Sequence, residues 1–200
     1  QNNGINAWGG GSTSTYGQTV TPAANSALQS FEFTTRANSG TGVQPYTAYL
    51  YQWNAGSSTV TGPALWSGNG SLTTTSQFTP TVITLGAASP QLTAGTQYVF
   101  FLTTVGNTKS SASFYFGAAY PGTYPGGYFV FNNNTGSFTT TWDTRLSSYD
   151  LAFRAVLAPA GGASGTSGGA GGTGGAGGAA GGAGATQGAG GTGGDGGAGS

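Results

Sequence analysis

The chain has 200 residues, no cysteine, no histidine and only 4% charged side chains, with a net charge of zero. Without His or Cys there is no zinc site, no histidine-based triad and no thiolate nucleophile. With four Lys and Arg in all, no basic cluster can neutralise phosphates, which argues against nucleic acid as a partner.

Residues 1–18 are rich in Asn, Gly, Ser and Thr, with Ile5, Trp8 and Tyr16 as isolated anchors. They read as an irregular N-terminal arm, packed on its own domain or reaching into a neighbour. The chain begins at Gln1 rather than Met, so removal of a leader is expected. A β domain follows over 19–159. Residues 18–22 open a first strand, and 27–36 alternate with Phe31 and Phe33 on one side. After a turn at 38–42, residues 44–54 form the clearest strand. Tyr46, Ala48, Leu50 and Gln52 face one way; Thr47, Tyr49, Tyr51 and Trp53 face the other. Neither face carries charge, so both are expected to be covered.

Residues 56–63 read as a loop and 64–66 as a short strand. Gly68-Asn69-Gly70 is a hairpin signal. Strands are expected at 72–79 and 81–85, around Pro80, and a turn at 89–95. Residues 97–105 are the most apolar run and the expected centre of a sheet. Residues 113–119, 128–131, 137–142 and 150–157 complete the series, with a Pro/Gly loop at 120–127. About ten short strands without any helical periodicity indicate an all-β fold, an antiparallel β-sandwich of jelly-roll type. No apolar run reaches the roughly 18 residues of a membrane-spanning helix.

Glu32, Asp143 and Asp150 are the carboxylates of this domain. Glycosidase chemistry needs two of them across one bond; here the expectation is ion pairing with Arg36, Arg145 and Arg154. Asp143 or Asp150 with backbone carbonyls is a sparse set for calcium. Lys109 sits in a turn, where nothing supports a Ser–Lys pair or an isopeptide bond to an Asn beside Glu32. No catalytic residue, no metal and no cofactor is expected. Trp8, Trp53, Trp66, Tyr120, Tyr124 and Trp142 are the candidate aromatic contacts, either in core and interface or stacked on sugars. Asn69-Gly70-Ser71 and Asn133-Asn134-Thr135 match the N-glycosylation pattern, making Asn69 and Asn133 candidate glycan sites.

The runs Leu28-Gln29-Ser30-Phe31-Glu32-Phe33, Tyr46-Thr47-Ala48-Tyr49-Leu50-Tyr51-Gln52-Trp53, Gly62-Pro63-Ala64-Leu65-Trp66, Leu92-Thr93-Ala94-Gly95-Thr96-Gln97-Tyr98-Val99-Phe100-Phe101 and Tyr149-Asp150-Leu151-Ala152-Phe153-Arg154 carry a resemblance. Over residues 18–158 the chain resembles a group of secreted bacterial β-sandwich surface proteins, some with C-terminal sorting signals. The resemblance implies an extracytoplasmic, non-catalytic sandwich and transfers no functional residue.

Residues 160–200 form a low-complexity tail in which Gly-Gly-X triplets recur with one slip in phase. With almost no apolar surface, such a segment builds no core of its own. It is either a flexible spacer or a bundle of polyglycine/polyproline II-type helices, whose period is three. Proline is absent from it and the phase slips, which argues against collagen. A neutral, aromatic domain before such a tail reads as a self-associating subunit of an extracellular filament, fibre or surface layer, a homopolymer secreted to the cell surface. The alternative is a carbohydrate-binding or adhesion module on a Gly-rich spacer.

Overall fold

The structure is a computed structural model that describes residues 3–160. The Gly-rich tail, and with it the polyproline II reading, lies outside the described residues. Twelve strands run in chain order: β1 (Asn3–Gly9), β2 (Thr15–Val20), β3 (Ser26–Ser39), β4 (Val43–Asn54), β5 (Thr59–Thr73), β6 (Thr79–Thr84), β7 (Gln91–Leu92), β8 (Tyr98–Thr103), β9 (Ser113–Ala119), β10 (Phe129–Asn132), β11 (Asp150–Leu151) and β12 (Phe153–Pro159). One 3-10 turn, Gly86–Ala88, is the only helical element among the described residues. The chain is all-β, in two antiparallel sheets. One has the order β10-β2-β8-β4-β5. The other has the order β1-β9-β3-β12, with β6 and β7 on β3 and β11 on β9.

The apolar run at 97–105 does become a sheet centre. β8 lies between β2 and β4, and all six of its residues are buried. Its alternation feeds two cores. Phe100 and Leu102 point to the other sheet, where Phe100 stacks on Phe31 at 4.8 Å and lies 5.4 Å from Phe33. Val99 and Phe101 point outward into a second cluster with Trp53, Val130 and Trp142. β4 divides the same way, with Tyr46, Ala48 and Leu50 inward and Tyr49, Tyr51 and Trp53 outward. Both faces of this strand are therefore covered. The outer cover is the segment after β10, which sets Phe138 on Tyr49 at 4.8 Å and Trp142 on Phe101 at 5.0 Å.

Several expectations change, among them the loop at 56–63, the short strand at 64–66 and the strand at 72–79, since β5 runs from Thr59 to Thr73 and no strand covers residues 74–78. Residues 3–18 are not an arm: β1 pairs with β9 and β2 pairs with β8 and β10. Three anchors among small polar residues suffice, because Trp8 and Tyr16 are large enough to fill the core. The Gly68-Asn69-Gly70 signal is not a turn. It lies inside β5, opposite Tyr46, Thr47 and Ala48 of β4, and none of the three has the positive φ that a type I′ turn needs. The glycines serve neighbouring rings instead. A Cβ at Gly68 would sit 2.5 Å from the Trp66 ring, and one at Gly70 would sit 2.5 Å from the Tyr46 hydroxyl. The reversal comes earlier, where Asn54 Oδ1 accepts from the Gly56 and Ser57 N–H groups at 2.9 and 3.2 Å and Ser58 takes φ +50°.

Residues 137–142 form no strand; their aromatics are held as a cap by the Trp142 Nε1–H bond to the Phe138 carbonyl at 2.7 Å. Last, of the three expected ion pairs only Arg145–Asp143 forms among the described residues, at 3.1 Å. Glu32 and Arg154 sit opposite each other on β3 and β12 without forming an ion pair.

Candidate functional site

The six candidate aromatics separate by depth. Trp8, Trp53 and Trp142 are buried, and each indole N–H is already used. Trp8 donates to the Leu102 carbonyl at 3.2 Å, Trp53 to the Tyr128 hydroxyl at 3.2 Å, and Trp142 to Phe138. These three are core, because a desolvated N–H needs a partner and has found one within the chain. The other three reach the surface. Trp66 is half-buried and packs edge-on to Phe31. Tyr124 is half-buried, its hydroxyl bonded to the Thr21 backbone. Tyr120 is 58% exposed and lies on Tyr149 at 4.6 Å. The two candidate glycan sites are exposed: Asn69 on β5, where Thr47 donates to its Oδ1 at 3.0 Å, and Asn133 just after β10.

Three concavities surround these residues. A cleft of about 320 Å³ lies between β5 and β6, with Tyr46, Trp66, Asn69, Val82 and Thr84 around it. An apolar pocket of about 250 Å³ is lined by Val20, Leu28, Leu92, Tyr124, Phe153 and Leu157, with Arg154 at its wall. A polar pocket of about 190 Å³ gathers Asn6, Thr13, Tyr16, Phe131, Asn133 and Arg145. Sequence reasoning did not find this last group. Its members come from four stretches of the chain, 5–6, 13–16, 129–133 and 145–146, and no local spacing links them.

Two of the remaining charges, Asp150 and Arg36, make defined contacts within the fold. Asp150 is 3% exposed and has no cation as partner. Its Oδ1 accepts from Gln18 Nε2 at 3.0 Å and its Oδ2 from the Tyr124 N–H at 2.7 Å, while Gln18 Oε1 accepts from the Leu151 N–H at 2.9 Å. The carboxylate thus latches β2, β11 and the 120–127 loop together. The Arg36 guanidinium lies over Phe78 at 5.0 Å and Tyr115 at 4.6 Å, a cation–π clamp on the outside of β3. No group of three His, Cys, Asp or Glu side chains converges among the described residues.

Burial pushes the Tyr16 hydroxyl up to about 12, with the Thr13 side chain beside it working the other way. The phenol is neutral when protonated, so the raised folded value stabilises the fold below the unfolded value of about 10. That contribution, about 2–3 kcal/mol, is lost as pH rises from about 10 to about 12. Burial also raises Tyr46, and burial with the neighbouring Tyr49 raises Tyr51, so both add in the same direction. Urea midpoints measured across this alkaline range are expected to fall for the wild type and to fall less steeply for Tyr16→Phe.

No helix among the described residues is long and apolar enough to cross a membrane. In comparisons with protein families, with curated proteins and with solved structures, the chain matches none, so the function is argued from its own geometry.

Proposed function

We propose that the chain is a structural subunit of an extracellular filament, fibre or surface layer, built on a jelly-roll-like β-sandwich that joins copies of itself edge to edge. The observation that carries this reading is β5. It runs 15 residues, pairs with β4 alone and carries no charged side chain. Proteins that stay monomeric blunt such edges with Lys, Pro, bulges, short strands or covering loops; β5 has a proline and a bulge in its first half but none of these over residues 66–73. Past the bulge at residues 62–65, where Pro63 has no N–H to give, the edge offers backbone N–H and C=O groups to an incoming strand over residues 66–73. Leu65 on β5 is exposed, and Val82 of β6, across the adjoining cleft, is 57% exposed. With zero net charge, little long-range repulsion opposes contact.

β1 is already paired within its own sheet, so strand donation by residues 3–9 is not the favoured route. Edge pairing and association through the Gly-rich tail are. Export to the cell surface belongs to the same proposal. An adhesion or carbohydrate-binding module is the second reading, supported by the surface position of Trp66, Tyr120 and Tyr124.

Electron microscopy and sedimentation of the purified chain test the proposal. The wild type is expected to form fibres or lattices. Leu65→Lys with Ser67→Lys, both on exposed β5 positions, is expected to give monomers with stability unchanged within about 1 kcal/mol. A chain lacking residues 161–200 that still polymerises assigns assembly to the edge. A monodisperse wild-type monomer at all concentrations overturns the reading.

A further inference from the structure

The polar pocket beside β1 and β10 has the features of a built site. Arg145 is fixed at both ends. Its Nε forms an ion pair with Asp143 Oδ2 at 3.1 Å, its backbone N–H donates to Asp143 Oδ1 at 2.9 Å, and its guanidinium lies 5.3 Å over the Phe131 ring. Asp143 is itself pinned to Phe131 by two backbone bonds, at 2.8 and 3.2 Å. The guanidinium is therefore positioned along one edge while its side chain stays 70% exposed. Nε is occupied, and neither Nη group bonds another of the described residues.

The asparagines at the end of β10 and just after it point the same way. Asn132 spends its amide on Thr140 Oγ1 at 3.0 Å and its carbonyl oxygen on the Asn134 N–H at 2.7 Å. Asn134 accepts from Gly136 and Ser137 at 2.9 and 3.1 Å. Both shape the loop. Asn133 between them makes no side-chain bond among the described residues, and it is the one that lines the pocket. Asn6, exposed on β1, and Thr13 also line the pocket. Ile5, Phe131 and Leu146 supply an apolar strip between these groups.

Planar amides, a guanidinium and a hydroxyl beside an apolar strip suit a ring that carries hydroxyls on its rim and C–H groups on its face. The volume, about 190 Å³, is below that of ordinary drug-sized pockets, which start near 300 Å³, and suits one ring rather than a chain of them. Asp143 cancels the charge of Arg145, so the site is neutral and an anion gains little there. We propose that this pocket binds a single neutral pyranose, with Arg145, Asn133 and Asn6 as its hydrogen-bonding residues. The inference goes beyond the assembly proposal and holds whether or not the subunits polymerise.

Calorimetric and NMR titrations with methyl β-D-glucopyranoside, methyl β-D-galactopyranoside and methyl α-D-mannopyranoside test it, with D-glucuronate as the charged arm. Saturable binding of at least one glycoside is expected, with Kd on the order of 1 mM. Arg145→Ala and Asn133→Ala, each at an exposed position, are each expected to weaken it by about tenfold, the loss of a hydrogen bond or two. Trp66→Ala, in the other cleft, is expected to leave it unchanged. Three results overturn the proposal: no saturable binding of any glycoside up to roughly 50 mM; binding that Trp66→Ala removes while Arg145→Ala and Asn133→Ala leave it intact; or tighter binding of glucuronate than of every neutral glycoside.

Discussion

Trp8→Ala is expected to lower the unfolding free energy by about 4–5 kcal/mol, a large share of the 5–15 kcal/mol that ordinary domains possess. The indole is fully buried. It lies edge-on to Phe114 at 6.2 Å and to Phe116 at 5.6 Å, both on the neighbouring strand of its own sheet. Its N–H reaches the Leu102 carbonyl on β8, so one side chain spans the space between the sheets. Truncation removes the largest side chain of β1, opens a cavity and strips a buried carbonyl of its side-chain donor. Trp8→Phe keeps most of the ring contacts and is expected to cost about 1–2 kcal/mol, near the value of the hydrogen bond with a small cavity. Urea unfolding of the three proteins measures the series. A loss below 1 kcal/mol for Trp8→Ala would mean that residues 3–9 hang free as an arm in solution.

Asp150→Ala is expected to cost about 3 kcal/mol, because it leaves Gln18 Nε2 with only the Thr19 carbonyl at 3.3 Å and strips the part-buried Tyr124 N–H of its acceptor. Asp150→Asn separates shape from charge. It preserves the volume, but an amide offers one oxygen where two are used. Gln18 cannot simply flip to receive the new N–H₂, since its own Oε1 is committed to the Leu151 N–H. Donor then faces donor at one end or the other, and a cost of about 2–3 kcal/mol follows. Thermal unfolding with the wild type, Asp150→Asn and Asp150→Ala checks the order. If Asp150→Asn proves neutral, the carboxylate is not the latch between β2, β11 and the 120–127 loop.

Much of the fold was legible in the residues because period two is a local property. The run at 97–105 was apolar on both faces, and a strand covered on both faces is a central one; β8 is central. In the strand at 44–54, Leu50 and Tyr51 were assigned to opposite faces, and they enter different clusters. Where composition was the guide instead of periodicity, the reading failed. Asn- and Gly-rich residues 3–18 looked like an arm, yet the pairing partners that make them strands are β8 and β9, about 85 and 110 positions away in sequence (from Tyr16 to Leu102 and from Ile5 to Phe116). The Gly-Asn-Gly dipeptide pair carried a real turn preference, which lost to aromatic rings needing two positions without a Cβ.

What the sequence determined alone is the class of the domain and the chemistries closed to it: an all-β chain with almost no charge and neither His nor Cys. Those follow from residue types and local alternation, which need no partner across space. What the tertiary structure decided is which aromatics face inward and where the unspent polar groups meet. Trp8, Trp53 and Trp142 were equal on paper to Trp66, but only a fold can close over three of them and leave the fourth half-open. Asn6, Asn133 and Arg145 share a pocket because β1 and β10 bring their neighbours together from opposite ends of the domain. Such meetings are set by packing between distant segments, and no pattern along the chain encodes them singly.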